Sequence, residues 1–327
     1  MTVVAHDDVP VLGLIARLTG KKPVAFAPVA RGYTRARRLI VRFADGSSVF
    51  AKLATDANTA NWLHAEHRIY ARLAGRAGFL PALIGWDPGD DDATALPLLL
   101  LEDLSAATWP PPWTARRVDA VLAALADVRA ALPLLADLHL RHFEDDRVEM
   151  ASWGRVAADP GPFLSLGLCD TAWLERALPD LLDAEASALL DGGDLLHLDV
   201  RSDNLCFRED GRAVLVDWNW ASRGNGLADL AGWAPSLHAE GGPPPETILP
   251  DQPALAALLA GYWAWRAGKP APAPGSRVRH IQRTQLTTAL PWAARSLGLP
   301  PPRPIPGIAS ANRGLLSDHV SGVQDNR

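Results

Sequence analysis

Cysteine is nearly missing: the 327 residues hold only Cys169 and Cys206. Two thiols build no disulfide framework, and so low a count fits a reducing compartment. Long apolar runs are missing too. No stretch stays apolar over the ~18 residues that a membrane-crossing helix requires, so no membrane partner is expected. The opening residues, MTVVAHDDVP, lack the basic start and apolar centre of a secretory signal. The expectation is a cytoplasmic protein. A basic surplus is also absent: 32 Lys and Arg stand against 37 Asp and Glu, a net charge of −5, which argues against a nucleic-acid-binding stripe. No internal repeat is visible. Lysine is the scarcer cation, with four residues against 28 arginines, so any lysine inside an apolar run stands out.

The length suffices for two lobes and a large core, and a hydrophobic fraction of 48% is ordinary for a globular protein. Charge is uneven along the chain. Residues 1–103 carry 12 basic and 11 acidic side chains, whereas residues 170–251 carry 5 against 16. That second stretch, at −11, can attract metal ions and a cationic substrate.

In the first hundred residues, apolar spacing predicts a helix over Val9–Leu18, ended by Gly20. Strands are predicted over Phe26–Arg31, Arg37–Phe43 and Ser48–Leu53. In the second of these Leu39, Val41 and Phe43 alternate with Arg38, Ile40 and Arg42, and Ala44-Asp45-Gly46-Ser47 reads as a hairpin turn. The connection carrying Gly32 and Thr34 reads first as an ordinary hairpin, although a tight glycine turn with free N–H groups can also cover a phosphate. Lys52 sits in the run VFAKLA. On the following helix, Thr59–Leu73, the residues Trp62, Glu66, Ile69 and Leu73 share one face. A cation buried on a strand and an anion buried on the next helix suggest one ion pair. Two further strands, Pro81–Trp86 and Leu96–Glu102, flank the acidic turn DPGDDD. Three prolines in DLSAATWPPP then mark a boundary, Asp103 to Pro112.

Beyond it the pattern is helical: Arg116–Leu132, Pro133–Phe143, Thr171–Leu190 (ended by Gly192-Gly193), Leu227–Leu237, Pro253–Ala267 and Arg277–Leu297. Pro300–Pro306 and the end SDHVSGVQDNR read as a poorly ordered tail. Within this helical part lie two short apolar runs, Leu195–Leu196 and Val214–Val216. Asp194, Asp199, Asp203, Asn204 and Asp217 crowd around them. Carboxylates at the ends of buried strands need cations. A loop with His197, Asp199 and Asn204, followed by a hairpin returning to Asp217, suits phosphoryl transfer, which needs positioning and charge neutralisation more than covalent help. Asn204 and Asp217 can supply the few hard oxygens that Mg2+ takes from protein, and Asp199 can accept a hydroxyl proton. Asp194 and Asp203 read as bystanders, and His197 as a packed brace at a strand end.

With HLDVRSDN (H-x-D-x-x-x-x-N) and VLVDWNW, the chain resembles the kinase-like small-molecule phosphotransferases of the aminoglycoside phosphotransferase and choline kinase family over roughly residues 25–265. The resemblance implies an α+β, bilobal, protein-kinase-like fold. Residues 1–102 would be a nucleotide-binding lobe with a five-stranded antiparallel sheet and one main helix. Residues 103–113 would be a hinge, residues 114–308 a mostly helical catalytic and substrate lobe, and residues 309–327 a flexible tail. It implies Lys52 on the nucleotide phosphates with Glu66 fixing it, and Gly32 and Thr34 near the phosphates. Leu101, Glu102, Asp103 and Leu104 would contact adenine through backbone atoms. Asp199 would be the catalytic base, Asn204 and Asp217 the Mg2+ ligands, and Asp229 in GLADLAGW a structural brace of the loop. ATP is the implied donor, with GTP as an alternative. Leu198 stands where the family usually has glycine and protein kinases have arginine. Only some 11 residues separate Asp217 from the GLADLAGW helix, too few for a protein kinase's activation segment, and Trp218 follows Asp217 where a protein kinase has phenylalanine. Both of these last points favour a small-molecule hydroxyl acceptor.

Trp218, Trp220, Trp233, Trp263 and Trp265 read mostly as core, with some able to wall an amine or a planar ring. Together with the −11 stretch, this leans toward an aminated or antibiotic-like acceptor. A metabolic acceptor such as an amino sugar, choline or a nucleoside is the alternative. A pseudokinase interaction module is opposed by the intact Lys52, Asp199, Asn204 and Asp217. A carboxylate–metal hydrolase would leave Lys52, Glu66 and the run LLLLEDL without a task. The oligomeric state is not legible.

Overall fold

A computed structural model describes residues 9–29, 35–89, 96–272 and 276–305. Gly32 and Thr34, the acids of the DPGDDD turn from 90 on, and the tail from 306 lie outside the described residues. Contacts divide the chain into two compact units, Met1–Arg141 with Gly193–Asp229, and His142–Gly192 with Leu230–Arg327.

The first unit is built on a five-stranded antiparallel sheet of order β1-β2-β3-β5-β4: β1 Pro23–Pro28, β2 Arg37–Phe43, β3 Ser48–Leu53, β4 Leu83–Asp87 and β5 Leu98–Glu102. The sheet expected from the sequence is therefore present, with β1 placed three residues earlier than expected. β1 is an edge strand, where Pro23 and Pro28 cost no ladder bond on the open side. The β2–β3 turn closes through Phe43 N to Ser47 O at 2.9 Å, with Gly46 at φ +83, a left-handed angle that glycine adopts without penalty.

Period-two alternation sorts the sheet's faces. Leu39, Val41, Phe43, Val49, Ala51, Leu98 and Leu100 form a core with Ile15 of α1 (Val9–Thr19). On the other face β2 and β3 present Arg38, Ile40, Phe50 and Lys52 to a cavity. The register sets Arg38 opposite Lys52 and Ile40 opposite Phe50. α2 (Ala57–Leu73) begins at a capping box, in which the Asp56 side chain accepts from Thr59 N at 2.8 Å and the Thr59 side chain accepts from Asp56 N at 3.0 Å. It turns Leu63, Glu66, Ile69, Tyr70 and Leu73 inward. α3 (Ala115–Ala130) starts at the Thr114 cap.

One expected helix is wrong. Pro133–Phe143 forms only a 3-10 turn, Leu132–Leu135, followed by extended chain and a second 3-10 turn, Phe143–Asp146. Leu132, Leu135 and Leu138 recur every third residue, which matches the three-per-turn helix, and 3-10 runs are short. Leu134 points outward and only Leu135 is fully buried, so no apolar stripe exists to hold an α-helix.

The first unit continues with β6 (Asp194–Leu196), β7 (Leu205–Phe207), β8 (Ala213–Leu215) and β9 (Ser222–Gly224). β7 and β8 form a hairpin, and β9 pairs antiparallel with β6. The unit ends at Asp229, in the first turn of the helix Leu227–Ala239.

In the second unit the helix Pro253–Ala267 is the centre, packed on Thr171–Ala186 and Val278–Ser296. A Cβ on Gly261 would meet the Trp153 ring at 2.7 Å, so glycine is what lets the indole pack there. Trp153 Nε1 donates to Ala257 O at 2.8 Å, and the buried Glu185 accepts the N–H groups of Ser152 and Trp153. The helix from Thr171 stops at Ala186 instead of reaching Leu190, with Leu189 exposed.

Candidate active site

Every sequence-predicted site residue that the structure describes belongs to the first unit. Strand β6 delivers His197, Leu198 and Asp199 from a buried start. Asp229 fixes this turn. Its two carboxylate oxygens accept the N–H groups of His197 at 2.8 Å and Leu198 at 2.7 Å. Leu198 sits at φ +61, a left-handed angle costly for a residue with a Cβ. The His197 ring is fully buried, edge-on to Trp218 at 4.6 Å between centroids. Its Nδ1 accepts from Asp199 N at 3.2 Å, so Nε2 carries the proton and donates to Val216 O at 2.9 Å. Burial lowers the pKa of this imidazole, in keeping with a neutral brace.

Asp199 Oδ2 accepts from Asn204 Nδ2 at 2.7 Å, and Oδ1 lies 3.4 Å from Arg201 Nε. Burial pushes the Asp199 carboxyl up to about 6, with Arg201 pulling the other way. It is thus ionised at neutral pH yet basic for a carboxylate. Arg201 also pairs with Asp203 at 3.2 Å. Asp203, read from the sequence as a bystander, lines the cavity. Asp194, the other presumed bystander, accepts from Gly226 N at 3.0 Å.

The β7–β8 hairpin sets Asn204 beside the strand that ends at Asp217, through Val216 N to Asn204 O at 2.9 Å. Asp217 takes a left-handed angle, φ +69, which Asp tolerates better than Leu. Lys52 Nζ lies between two carboxylates, 2.6 Å from Glu66 Oε2 and 2.7 Å from Asp217 Oδ1. The expected Lys52–Glu66 pair is formed, and Asp217 joins it. Burial works against the Lys52 ammonium, but the two carboxylates outweigh it and raise its pKa. Burial also works against the Asp217 carboxylate, and Lys52 outweighs that and holds its pKa below the ordinary value. The Glu66 pKa is raised by burial, with Lys52 opposing. Two anions and one cation leave this group at −1.

These residues fit a hard divalent cation. Asp217 offers a carboxylate, and Asn204, whose Nδ2 is turned to Asp199, offers its amide oxygen. Among the described residues no group of three or more His, Cys, Asp or Glu side chains forms a metal cluster. Magnesium does not need one, since it commonly takes one or two protein oxygens and completes its shell with phosphates and water.

Beside this centre lies a cavity of about 400 Å³, within the size range of small-ligand sites. Leu101, Glu102, Asp103 and Leu104, the residues of the hinge reading, line it. Two of these side chains are committed to structure. Glu102 forms a bidentate pair with Arg208 and accepts from Ala82 N at 3.0 Å, while Asp103 accepts from Ser48 Oγ at 2.6 Å and Ser105 N at 2.9 Å. The sequence reading missed Arg38, although the hairpin turn at Ala44–Ser47 already implies a register that puts it opposite Lys52. It also missed Arg201, although it lies two residues from both Asp199 and Asp203, and Arg208, for which nothing local in the sequence gives a signal. The tryptophans divide. Trp218, Trp233 and Trp263 are core, Trp265 lies under the Lys269 ammonium, and Trp220 is 43% exposed with the Arg141 guanidinium over its ring.

Comparison with known proteins bears on the fold and the family. Among solved structures, a macrolide 2'-phosphotransferase type I aligns over 97% of this chain and 99% of its own, at 19% identity and a TM-score of 0.51. An aminoglycoside phosphotransferase solved as a ternary complex with ADP and hygromycin B aligns over 88% and 99%, at 13% identity and a TM-score of 0.54. A choline kinase from Streptococcus pneumoniae aligns over 90% and 99%, at 12% identity and a TM-score of 0.50. At such identities the likeness is one of fold. No curated protein matches the sequence. The model of the phosphotransferase enzyme family matches residues 26–271, most of the chain and all of the centre just described. The chain belongs to that family, the aminoglycoside phosphotransferase and choline kinase group, and is a kinase acting on a hydroxyl group of a small molecule.

Proposed function

We propose that the protein transfers the γ-phosphoryl group of ATP to a hydroxyl of a small molecule, with Mg2+, and that GTP is the donor to test beside ATP. The observation that carries this reading is Lys52 held at 2.6 Å from Glu66 and 2.7 Å from Asp217, on the wall of the same cavity as Asn204. Lys52 contacts the donor phosphates, and Glu66 fixes its position. The backbone of Leu101 to Leu104 meets the purine. Asp199 accepts the hydrogen of the attacking hydroxyl and aims its oxygen, and Asn204 keeps the carboxylate in place. Asn204 and Asp217 hold the magnesium, which when bound neutralises charge on the phosphates. His197, Leu198 and Asp229 keep the loop in shape.

For the acceptor, the acidic stretch 170–251 and the exposed Trp220 favour an aminated, antibiotic-like molecule. No helix among the described residues is long and apolar enough to cross a membrane, and the low cysteine count supports a cytoplasmic site of action. The test is ATP and GTP consumption over panels of aminoglycosides, macrolides, amino sugars, nucleosides and choline, with and without magnesium. Turnover confined to aminated antibiotics is expected. Turnover only on choline, a nucleoside or a simple amino sugar would move the protein to primary metabolism. Turnover with magnesium removed by chelation would refute the metal assignment.

A further inference from the structure

We propose that Trp109 sets the purine preference of the donor site: its indole N–H occupies the carbonyl of Leu104, which leaves that end of the cavity short of acceptors and selects adenine over guanine. The inference deepens the nucleotide-donor reading above and rests on it.

The two purines differ in what their pairing edge offers. Adenine presents one donor group, its exocyclic amine, and one acceptor, N1. Guanine presents two adjacent donor groups, N1–H and its amine, beside one acceptor, O6. A guanine site therefore needs more acceptors than an adenine site, and at the hinge the acceptors are already in use. A backbone carbonyl has two lone pairs. Leu104 O accepts from Ala107 N at 3.0 Å and from Trp109 Nε1 at 3.2 Å. The Leu104 N–H, by contrast, has no partner among the described residues. Residue 104 thus offers the purine a donor and no acceptor, which suits adenine N1. A carboxylate is the other natural match for guanine's paired donors. The two acids of the hinge are committed, Glu102 to Arg208 and the Ala82 N–H, and Asp103 with one oxygen to Ser48 Oγ and the other to the Ser105 N–H. Trp109 itself lines the cavity, and its backbone is held on both sides. Thr108 before it donates to Phe207 O at 2.9 Å and accepts from Phe207 N at 2.8 Å, while Pro110 to Pro112 after it restrict the chain. A guanine arriving at this edge would leave a buried donor unpaired.

The experiment titrates the full-length protein with ATP and with GTP in magnesium chloride by calorimetry, which needs no acceptor. The two ligands differ only in the base. Wild-type protein should bind ATP about tenfold or more tightly than GTP, the loss expected when one buried donor goes unpaired. Trp109→Phe keeps an aromatic ring and deletes the N–H, which releases one lone pair of Leu104 O. The ATP-to-GTP ratio should then fall by about threefold or more, with GTP gaining in absolute affinity. Trp109→Leu also lacks the N–H and should narrow the ratio as well, so it carries the comparison should the phenylalanine variant fail to fold. A role confined to packing would weaken both nucleotides alike and leave the ratio where it was. GTP bound by wild-type protein as tightly as ATP, or a ratio that removal of the indole N–H does not narrow, would overturn the proposal. Wild-type protein that binds neither nucleotide would instead refute the donor reading, so the two failures are distinguishable.

Discussion

Replacing Lys52 by methionine probes the centre through stability, independently of any acceptor. The Lys52 and Glu66 side chains are 5% and 1% exposed, and that of Asp217 is 22% exposed. Removing the shared ammonium leaves two carboxylates that had both bonded one nitrogen, at 2.6 and 2.7 Å. At a separation of roughly 5 Å and an effective dielectric of about 20, their repulsion is about 3 kcal/mol. Losing one partner of a buried pair costs about 3–5 kcal/mol in general, so a deficit of that order is expected at pH 8. Its pH dependence has a definite sign. The Glu66 pKa is already raised by burial, and Lys52 is what pulls it down, so in the variant it rises further above its unfolded value. A carboxyl shifted upward on folding weakens the folded state as pH rises from the unfolded towards the folded pKa, and has no such effect below both. The deficit should therefore shrink as pH is lowered from 8 towards 5, and Lys52→Met with Glu66→Gln should recover most of it. Thermal unfolding of the four proteins of this cycle, followed by near-UV circular dichroism at both pH values, measures this. A single variant as stable as wild type at pH 8, or a double variant no better than the single, would refute the buried-pair argument.

Asp199→Asn should lower kcat by roughly 10²–10⁴-fold, the usual range for a positioned base, with ATP affinity by calorimetry unchanged within about twofold. Near-normal turnover would remove Asp199 from the chemistry. Asp229→Ala strips the acceptors from the N–H groups of His197 and Leu198, at about 1–3 kcal/mol for each buried donor left unpaired. The melting temperature should fall, and Asp229→Asn should recover part of the loss, whereas equal melting of all three would contradict the brace. Cys169 and Cys206 are buried, and burial pushes the Cys169 thiol up to about 12. Ellman's reagent at pH 8 should find no rapidly reacting thiol in the native protein and two in denaturant. A fast native thiol would contradict the packing.

The sheet, the helix carrying Glu66 and the ion pair with Lys52 were legible because each follows a local rule. Alternation in RRLIVRF places the faces, the Ala44–Ser47 turn places the register, and the single lysine of an apolar run demands an anion. The candidate site was legible through the spacing of Asp199, Asn204 and Asp217, which the structure brings together with Lys52 and Glu66. What stayed hidden depends on contacts between distant positions. Arg208 reaches Glu102 across 106 residues, and Asp229 reaches back 32 residues to His197. The segment 133–143 misled because leucines three apart satisfy a loose helical template, yet they suit a 3-10 turn and bury little. Asp203 was set aside because a loop acid is usually solvated, and its place on the cavity wall depends on the β7–β8 hairpin.

Leu198 ties these levels together. A left-handed angle at a leucine is not something its own chemistry prefers, so the turn after His197 has to be held from outside. Asp229 holds it by accepting the two consecutive N–H groups that the turn exposes. Locking Leu198 in that angle points Asp199 toward Asn204 and away from its neighbour His197, whose Nδ1 takes the Asp199 N–H. The strain at residue 198 is thus balanced by buried hydrogen bonds, and its consequence is a carboxylate with one fixed orientation. This also explains why a leucine is tolerated where the family usually has glycine. Glycine would reach the angle without strain, but here Asp229 and the buried His197 ring determine the turn whichever residue occupies it.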